Sequence, residues 1–229
     1  MNVFITGAAG FIGGSIATGL VQKGHHVTGL VRSAEQAEEL TALRIVPVVG
    51  TLDDKALLIE QARRADAVIN AASSDHLGAV LALIEGLEGS DKPLLHTSGS
   101  SIVGDASGGE HSDVIYYEDN LPAPTSDKAA RVAIDDRVIA SAQEGVRSAV
   151  LCNTLIYGHS LGVNRDSVQL PSLVKKARKS GVVRHVGSGG NIWSNVHIDD
   201  VVELYALALE KTRLAPSISL KAAKRHFWT

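Results

Sequence analysis

Short apolar runs alternate along the chain with longer stretches whose apolar residues recur every three or four positions. Asn2–Thr6 (NVFIT) reads as a buried strand, and Phe11–Lys23 as a helix closed by Gly24 in the C-cap position. His26–Val31 is a second strand, Ala34–Leu43 a polar helix, Ile45–Val49 a third strand and Lys55–Arg64 a third helix. Ala67–Ala71, Leu77–Glu88 and Leu94–Thr97 continue as strand, helix and strand. Strands separated by helices of this length are βαβ units, which pair in parallel with right-handed crossovers. Near-continuous apolar strands predict cover on both faces. The pattern therefore predicts an α/β fold around a Rossmann-like, doubly wound parallel sheet.

Beyond Gly104 the pattern loosens. Asp105–Pro124 is polar, holds Gly108, Gly109 and two prolines, and is long for a simple connection; loops of this kind often close over ligands. Ser126–Glu144 has a strong helical period, and Ala149–Asn153 is a sixth strand. Ser167–Ser180 reads as helix, Val182–Val186 as strand and Asp199–Lys211 as a last helix, while the tail Ala215–Thr229 has no clear apolar period. The expectation is one domain over residues 1–229, with a small, reduced C-terminal substrate lobe drawn from about 159–196 and 212–229.

Composition narrows the function classes. The 229 residues suffice for one sizeable core, and a net charge of −3 gives no basic surface for nucleic acid or an anionic membrane. The N-terminus lacks a basic flank and is broken by glycines, and no run approaches the roughly 20 apolar residues that span a bilayer. The single cysteine, Cys152, cannot form an intrachain disulfide. These features read as a soluble, cytoplasmic protein acting on a small molecule, with no metal-ligand cluster; a homo-oligomer stays open.

The most informative segment joins the first strand to the first helix: Gly7-Ala8-Ala9-Gly10-Phe11-Ile12-Gly13. The first glycine permits the tight turn, the second lets a pyrophosphate approach the backbone, and the third lets helix and strand pack closely. Free amide groups and the dipole at the helix N-terminus favour the anion. The order strand, glycine loop, helix is the context that gives such a motif meaning.

Thr6–Gly13 resembles the TGxxGxxG form found in extended and atypical short-chain dehydrogenases/reductases, the group that includes epimerases and dehydratases. Other segments are similar in order and spacing: Asn70-Ala71-Ala72 after the fourth strand, Thr97–Gly104 after the fifth, Leu155-Ile156-Tyr157-Gly158 after the sixth, and Val196-His197-Ile198-Asp199-Asp200 before the last helix. The resemblance covers about residues 1–211 and implies a bound nicotinamide dinucleotide. It implies that Ala9, Gly10, Phe11 and Ile12 approach the pyrophosphate, that Leu52 and Asp53 lie by the adenine, and that Ala71, Ala72, Asn153 and Thr154 lie toward the nicotinamide. Members of the group usually continue well past the last of these motifs; here 29 residues follow Asp200. A reduced lobe would leave an open cleft, covered by the Asp105–Pro124 loop or by a partner subunit.

NAD-preferring sites carry a carboxylate at the end of the second strand. Here that end reads Leu30-Val31-Arg32-Ser33, so Arg32 and Ser33 stand where a 2′-phosphate would be bound, and NADP is expected over NAD. The alternative for Arg32 is a solvated surface arginine.

The reaction is less legible. Family members use a YxxxK pair, and none of Tyr116, Tyr117, Tyr157 or Tyr205 has lysine four residues later. By resemblance Arg131 stands at the lysine position, Asp127 at the tyrosine position and Asp135 at the end of the family's KxxxE run. Arg131 is either a cofactor contact or half of a surface pair with Asp127, since i and i+4 meet on a helix. It is no proton donor, because guanidinium stays protonated. The family serine falls on Gly99, leaving Ser98 and Ser100 to supply a hydroxyl or to cap the loop. Tyr157 is a packing residue or a substitute acid, and Asp199 is expected to N-cap the last helix. Three functions fit these residues: an NADP(H)-dependent oxidoreductase acting on a carbonyl or alcohol, a dinucleotide-binding sensor without chemistry, and a nucleotide-sugar epimerase or dehydratase.

Overall fold

In the computed structural model, residues 1–117, 120–212 and 220–221 are described. The elements are β1 (Asn2–Thr6), α1 (Phe11–Gln22), β2 (His26–Val31), α2 (Ala34–Ala42), β3 (Val46–Val49), α3 (Lys55–Arg64), β4 (Ala67–Asn70), α4 (Leu77–Leu87) and β5 (Pro93–Gly99). They continue with α5 (Ala129–Ala140), β6 (Arg147–Asn153), β7 (Leu155–Tyr157), α6 (Gln169–Ser180), β8 (Asn195–His197), α7 (Ile198–Thr212) and β9 (Leu220–Lys221). Seven strands form one sheet in the order β3-β2-β1-β4-β5-β6-β9, all parallel. The doubly wound α/β architecture is as the pattern predicts.

The strands alternate between two apolar layers because successive side chains leave a strand on opposite faces. Val3, Ile5, Ala67, Ile69, Leu95, Ala149 and Leu151 pack with α1 and with Val201, Tyr205 and Leu209 of α7. Phe4, Val68, Leu94 and Val150 pack on the other face with Leu58 of α3, Leu83 and Leu87 of α4, and Ile134 and Val138 of α5. Both faces are covered, which is why the strands read as continuous apolar runs.

The strand order reverses at β1: the chain runs outward through β2 and β3, then crosses back to β4 on β1's other side. Open parallel sheets bind ligands in the crevice at such a switch point, at the carboxyl ends of the strands. Thr6, Asn70, Gly99 and Asn153 end the strands along that edge.

Departures from the sequence reading lie beyond β5. Helix α5 starts at Ala129, because residues 125–128 form a turn in which the amides of Lys128 and Ala129 both donate to the Thr125 carbonyl. It ends at Ala140 and passes into a 3-10 turn at Ser141–Glu144. Val182–Val186 is not a strand; it has no pairing partner among the described residues, and Val182, Val183 and Val186 stand exposed. Instead two three-residue strands, β7 and β8, pair in parallel beside the main sheet. The expected lobe segment 212–229 lies outside the described residues apart from Thr212, which ends α7, and β9, which pairs with β6. Among the described residues no helix is long and apolar enough to cross a membrane, and no group of side chains is placed to hold a metal ion.

Candidate functional site

The loop out of β1 is built by close contacts that only glycine allows. Gly7 has φ +73°, and a Cβ there would lie 2.6 Å from the Ala71 carbonyl oxygen. A Cβ on Gly13 would lie 2.3 Å from the Gly7 carbonyl oxygen. The Gly10 amide donates to that same oxygen at 2.8 Å, which closes the turn. Gly10 is the N-cap of α1 and no side chain caps the helix. The amides of the first turn, at Phe11, Ile12 and Gly13, are therefore left for an outside acceptor, and the glycines keep the approach clear. This cradle fits a dinucleotide pyrophosphate.

The loop is held from outside as well. Residues 159–166 cross its front: Ser160 Oγ meets Ser15 Oγ at 2.7 Å, and Asn164 Nδ2 donates to the Ala9 carbonyl at 2.8 Å. Gly162 packs on Gly14 so tightly that a Cβ on Gly162 would lie 2.6 Å from the Gly14 carbonyl carbon. Ala71 and Ala72, which follow β4, form the other wall, against Gly7.

At the end of β2, Arg32 is exposed and its backbone amide donates to Gln36 Oε1 at 3.0 Å. Among the described residues no carboxylate pairs with its guanidinium. Ser33 N-caps α2, its Oγ accepting from the Gln36 amide at 3.3 Å. Leu52 packs on the core beneath the loop after β3, while Asp53 is exposed and meets His76 Nε2 at 3.2 Å. That contact joins the loops after β3 and β4 on the site edge, and His76 Nδ1 meanwhile accepts the Ala79 amide as the cap of α4.

The end of β5 carries the second half of the site. Arg131, in the first turn of α5, makes a two-pronged ion pair with Asp75: Nε to Oδ1 at 2.8 Å and Nη2 to Oδ2 at 2.6 Å. Its Nη1 donates to Ser101 Oγ at 3.4 Å and lies beside Gly99. The guanidinium holds the Asp75 carboxyl below its usual range, and Asp75 raises Arg131 in turn. Ser100 Oγ is 3.5 Å from Trp193 Nε1. Arg131 thus reaches the strand ends, but its partner is Asp75. Asp127 lies in the turn before the helix, fully exposed, bound to Lys128 Nζ at 2.8 Å and to the Thr125 hydroxyl at 2.7 Å. Lys128, then Thr125, lowers its pKa, so it sits there as a carboxylate. The i,i+4 pairing of Asp127 with Arg131 is corrected on both counts: Asp127 precedes the helix, and the arginine is already engaged.

Ser98 is buried, and its hydroxyl donates to Asp135 Oδ2 at 2.6 Å. Burial pushes Asp135 up to about 6, against the opposing pull of Ser98 and Arg131. His96 Nε2 lies 3.5 Å from Asp135 Oδ1, a charge contact too long for a good hydrogen bond, and burial lowers His96 to about 4. On the opposite face of the sheet, Tyr205 of α7 is fully buried and pushed up to about 12 by that burial. Its hydroxyl binds Thr97 Oγ1 at 2.8 Å and receives Asn153 Nδ2 at 3.1 Å. Tyr205 therefore pins the ends of β5 and β6 and reaches no substrate. Thr154 Oγ1 donates to the Ser194 carbonyl.

The N-cap expected of Asp199 belongs to His197, whose Nδ1 accepts the Asp199 amide at 3.2 Å; Asp199 sits in the first turn. Sequence reasoning missed Asp75, Ser101, His96, Trp193 and the pinning role of Tyr205. Asp135 carried a signal, as the last residue of the run from Arg131.

Comparisons with known proteins agree with this geometry. The sequence pattern described as "NAD dependent epimerase/dehydratase family" matches residues 3–219. "Uncharacterized protein C2A9.02" of Schizosaccharomyces pombe is 33% identical over 223 residues, covering 92% of this chain and 71% of that protein. The 2-alkyl-3-oxoalkanoate reductase of Stenotrophomonas maltophilia is 28% identical over 99% of this chain and 70% of its own length. The crystal structure of dTDP-glucose 4,6-dehydratase from Bacillus anthracis, in complex with NAD, superposes with a TM-score of 0.75 at 18% identity, covering 96% of this chain and 75% of that one. That last likeness is one of fold.

Proposed function

The chain belongs to the NAD dependent epimerase/dehydratase family, and from that premise we propose that it is an NADP(H)-dependent oxidoreductase interconverting a ketone and a secondary alcohol on an apolar small molecule. The observation that carries the reading is the arginine fixed at the end of β5. Asp75 holds Arg131 in a two-pronged grip, with its third nitrogen aimed at Ser101 beside Gly99.

When bound, the dinucleotide supplies or accepts the hydride. The residues answer for the oxygen. Charge grows there as the carbonyl is reduced, and a preorganised cation beside it is worth most in a site that excludes water. Arg131 supports that charge without giving up a proton. Its N–H occupies a lone pair of Ser101 Oγ, which leaves the serine proton free to pass to the substrate oxygen and be replaced from solvent.

NADP is favoured by the exposed Arg32 and by the lack of a carboxylate at the end of β2. A charge-assisted bond to a 2′-phosphate is worth roughly 1.5–3 kcal/mol, or about tenfold to a hundredfold in affinity. The apolar substrate is supported by Trp193, half-exposed with its Nε1 3.5 Å from Ser100 Oγ, and by the keto substrate that the Stenotrophomonas relative's name states.

The test is consumption of NADPH with a panel of 3-oxoacids, alkyl ketones and aryl ketones. Turnover with at least one apolar ketone is expected, and none with UDP- or dTDP-sugars. One observation favours a second reading, a dinucleotide-binding sensor: no YxxxK pair exists, and Tyr205 is sealed in the core. Firm NADPH binding with no turnover across the panel would select it.

A further inference from the structure

A line of buried side chains runs beneath the strand ends and serves none of the roles assigned above. Thr6 Oγ1 donates to Asn70 Oδ1 at 2.6 Å. Asn70 Nδ2 meets His96 Nδ1 at 3.0 Å. His96 Nε2 faces Asp135 Oδ1 at 3.5 Å, and Asp135 Oδ2 accepts from Ser98 Oγ at 2.6 Å. All five side chains are buried.

The direction of the line is fixed. Asn70 accepts from Thr6 through its oxygen, so its nitrogen is the atom turned to His96, and an amide nitrogen only donates. The neutral imidazole accepts at Nδ1 and carries its proton on Nε2, toward the carboxylate. Among the described residues neither His96 Nε2 nor Asp135 Oδ1 has a hydrogen-bond partner, and the two face each other across a 3.5 Å contact.

Both ends of the line fall at the site. Thr6 precedes Gly7, and Asn70 precedes the Ala71 and Ala72 wall on which Gly7 packs. Ser98 precedes Gly99, Ser100 and Ser101. Asp135 lies one turn after Arg131 on α5, so one helix grips the loop after β4 through Arg131 and the end of β5 through Asp135. Well-packed apolar residues would stabilise such a core as well as a buried carboxylate does. What a polar line adds is direction and fixed relative placement of the strand ends it joins.

Resting on the dinucleotide reading of the glycine loop, we propose that Asp135 is a positioning residue: through Ser98 and His96 it ties the end of β5 to the seat of the dinucleotide loop, so that dinucleotide affinity depends on a carboxylate outside that loop.

Asp135→Asn tests this in the full chain. The asparagine keeps the shape but offers one accepting oxygen where the carboxylate offers two. With that oxygen toward Ser98 its amide opposes the His96 Nε2 proton, and turned the other way its amide meets Ser98 Oγ, which can then no longer donate to it, so one of the two donors facing position 135 loses its acceptor and the charge is gone. Asp136→Asn removes an exposed charge from the same helix turn and serves as control. Calorimetric titration with NADPH should give a dissociation constant weakened about fivefold or more for Asp135→Asn and within about twofold of wild type for Asp136→Asn. Nitrogen NMR of the imidazole should show wild-type His96 protonated on Nε2. An Nδ1–H ring in the wild type, or an Asp135→Asn constant within about twofold of wild type, overturns the proposal. Should Asp135→Asn fail to fold, Ser98→Ala cuts the neighbouring link and carries the same criterion. If the wild type binds NADH alone, the titrations use NADH and only the cofactor preference falls. If it binds neither dinucleotide, the reading of the loop falls and takes this proposal with it, whereas missing ketone turnover leaves the affinity test intact.

Discussion

Through β5, each strand ends in a short loop on one edge of a sheet walled by helices on both faces. Beyond β5, residues 104–116 and 181–194 run without helix or strand and are stapled to one another. The Gly190 amide donates to the Gly109 carbonyl at 2.7 Å, and Ser188 Oγ to Glu110 Oε2 at 2.8 Å. Helix α6 has no buried residue at all. In the first region the backbone itself makes the site, so residue type is dictated by space. In the second, exposed side chains stand on loops and on a helix that buries nothing. On the proposed reading, cofactor binding belongs to the first half, and substrate choice to the second, where surface can change without cost to the core.

The comparison breaks most severely at Gly13. Alanine there drives a Cβ to 2.3 Å from the Gly7 carbonyl oxygen, which backbone cannot yield cheaply. We expect a loss of about 1–3 kcal/mol in stability by chemical denaturation, and no detectable dinucleotide binding by calorimetry. An equivalent alanine at Gly181, in the second region, meets nothing within 4 Å and bears only the strain of φ +68°. It should leave binding unchanged.

Arg131→Met asks whether the end of β5 does chemistry. Its kcat/KM should fall about a hundredfold with NADPH affinity nearly unchanged, read from steady-state rates and titration. Loss of affinity without loss of kcat would place Arg131 on the cofactor instead.

The buried pair beneath β5 gives a pH signature. His96 is lowered from 6.5 to about 4, so it adds stability as pH rises through that interval. Asp135 is raised from 3.8 to about 6, so its stabilisation is present at low pH and lost as pH rises over nearly the same interval. Unfolded, the pair holds one proton on the histidine; folded, it holds one on the aspartate, and the two slopes cancel. Asp135→Asn removes one slope only. Relative to wild type, its stability should climb with pH by up to about 1.4 kcal/mol per pH unit between about pH 4 and 6, measured by denaturant melts across pH. Parallel curves would contradict the assignment.

The smallest effect is expected at Asp127. The carboxylate is exposed and bound to Lys128 and Thr125, so Asp127→Asn should leave both the denaturation midpoint and the rate of NADPH consumption as they are.

Legibility in the sequence follows the same division. The glycine loop could be read because a tight turn and a close backbone approach admit one residue type, and because strand and helix periods flank it. β1, β2, β4, β5 and β6 showed as apolar runs for the same reason that they are largely buried, while β3, at the sheet edge, is apolar with Val46 and Val49 exposed. The Asp75–Arg131 grip joins residues 56 positions apart, with no period to announce it. Strands β7 and β8, three residues each, are shorter than any pattern window. Val182–Val186 is apolar enough for a strand, yet a strand needs a partner edge and none is offered among the described residues. Tyr205 has no lysine four residues on and so shows no motif in the sequence, whereas its role comes from Thr97 and Asn153, brought to it by folding.

The most direct test of the account is calorimetric titration of the wild-type chain and its Arg32→Ala variant with NADPH and with NADH. Wild-type affinity for NADPH should exceed that for NADH about tenfold to a hundredfold, and the variant should no longer distinguish them. Equal or tighter wild-type binding of NADH would contradict the cofactor preference, and heat from neither dinucleotide would contradict the reading of the glycine loop itself.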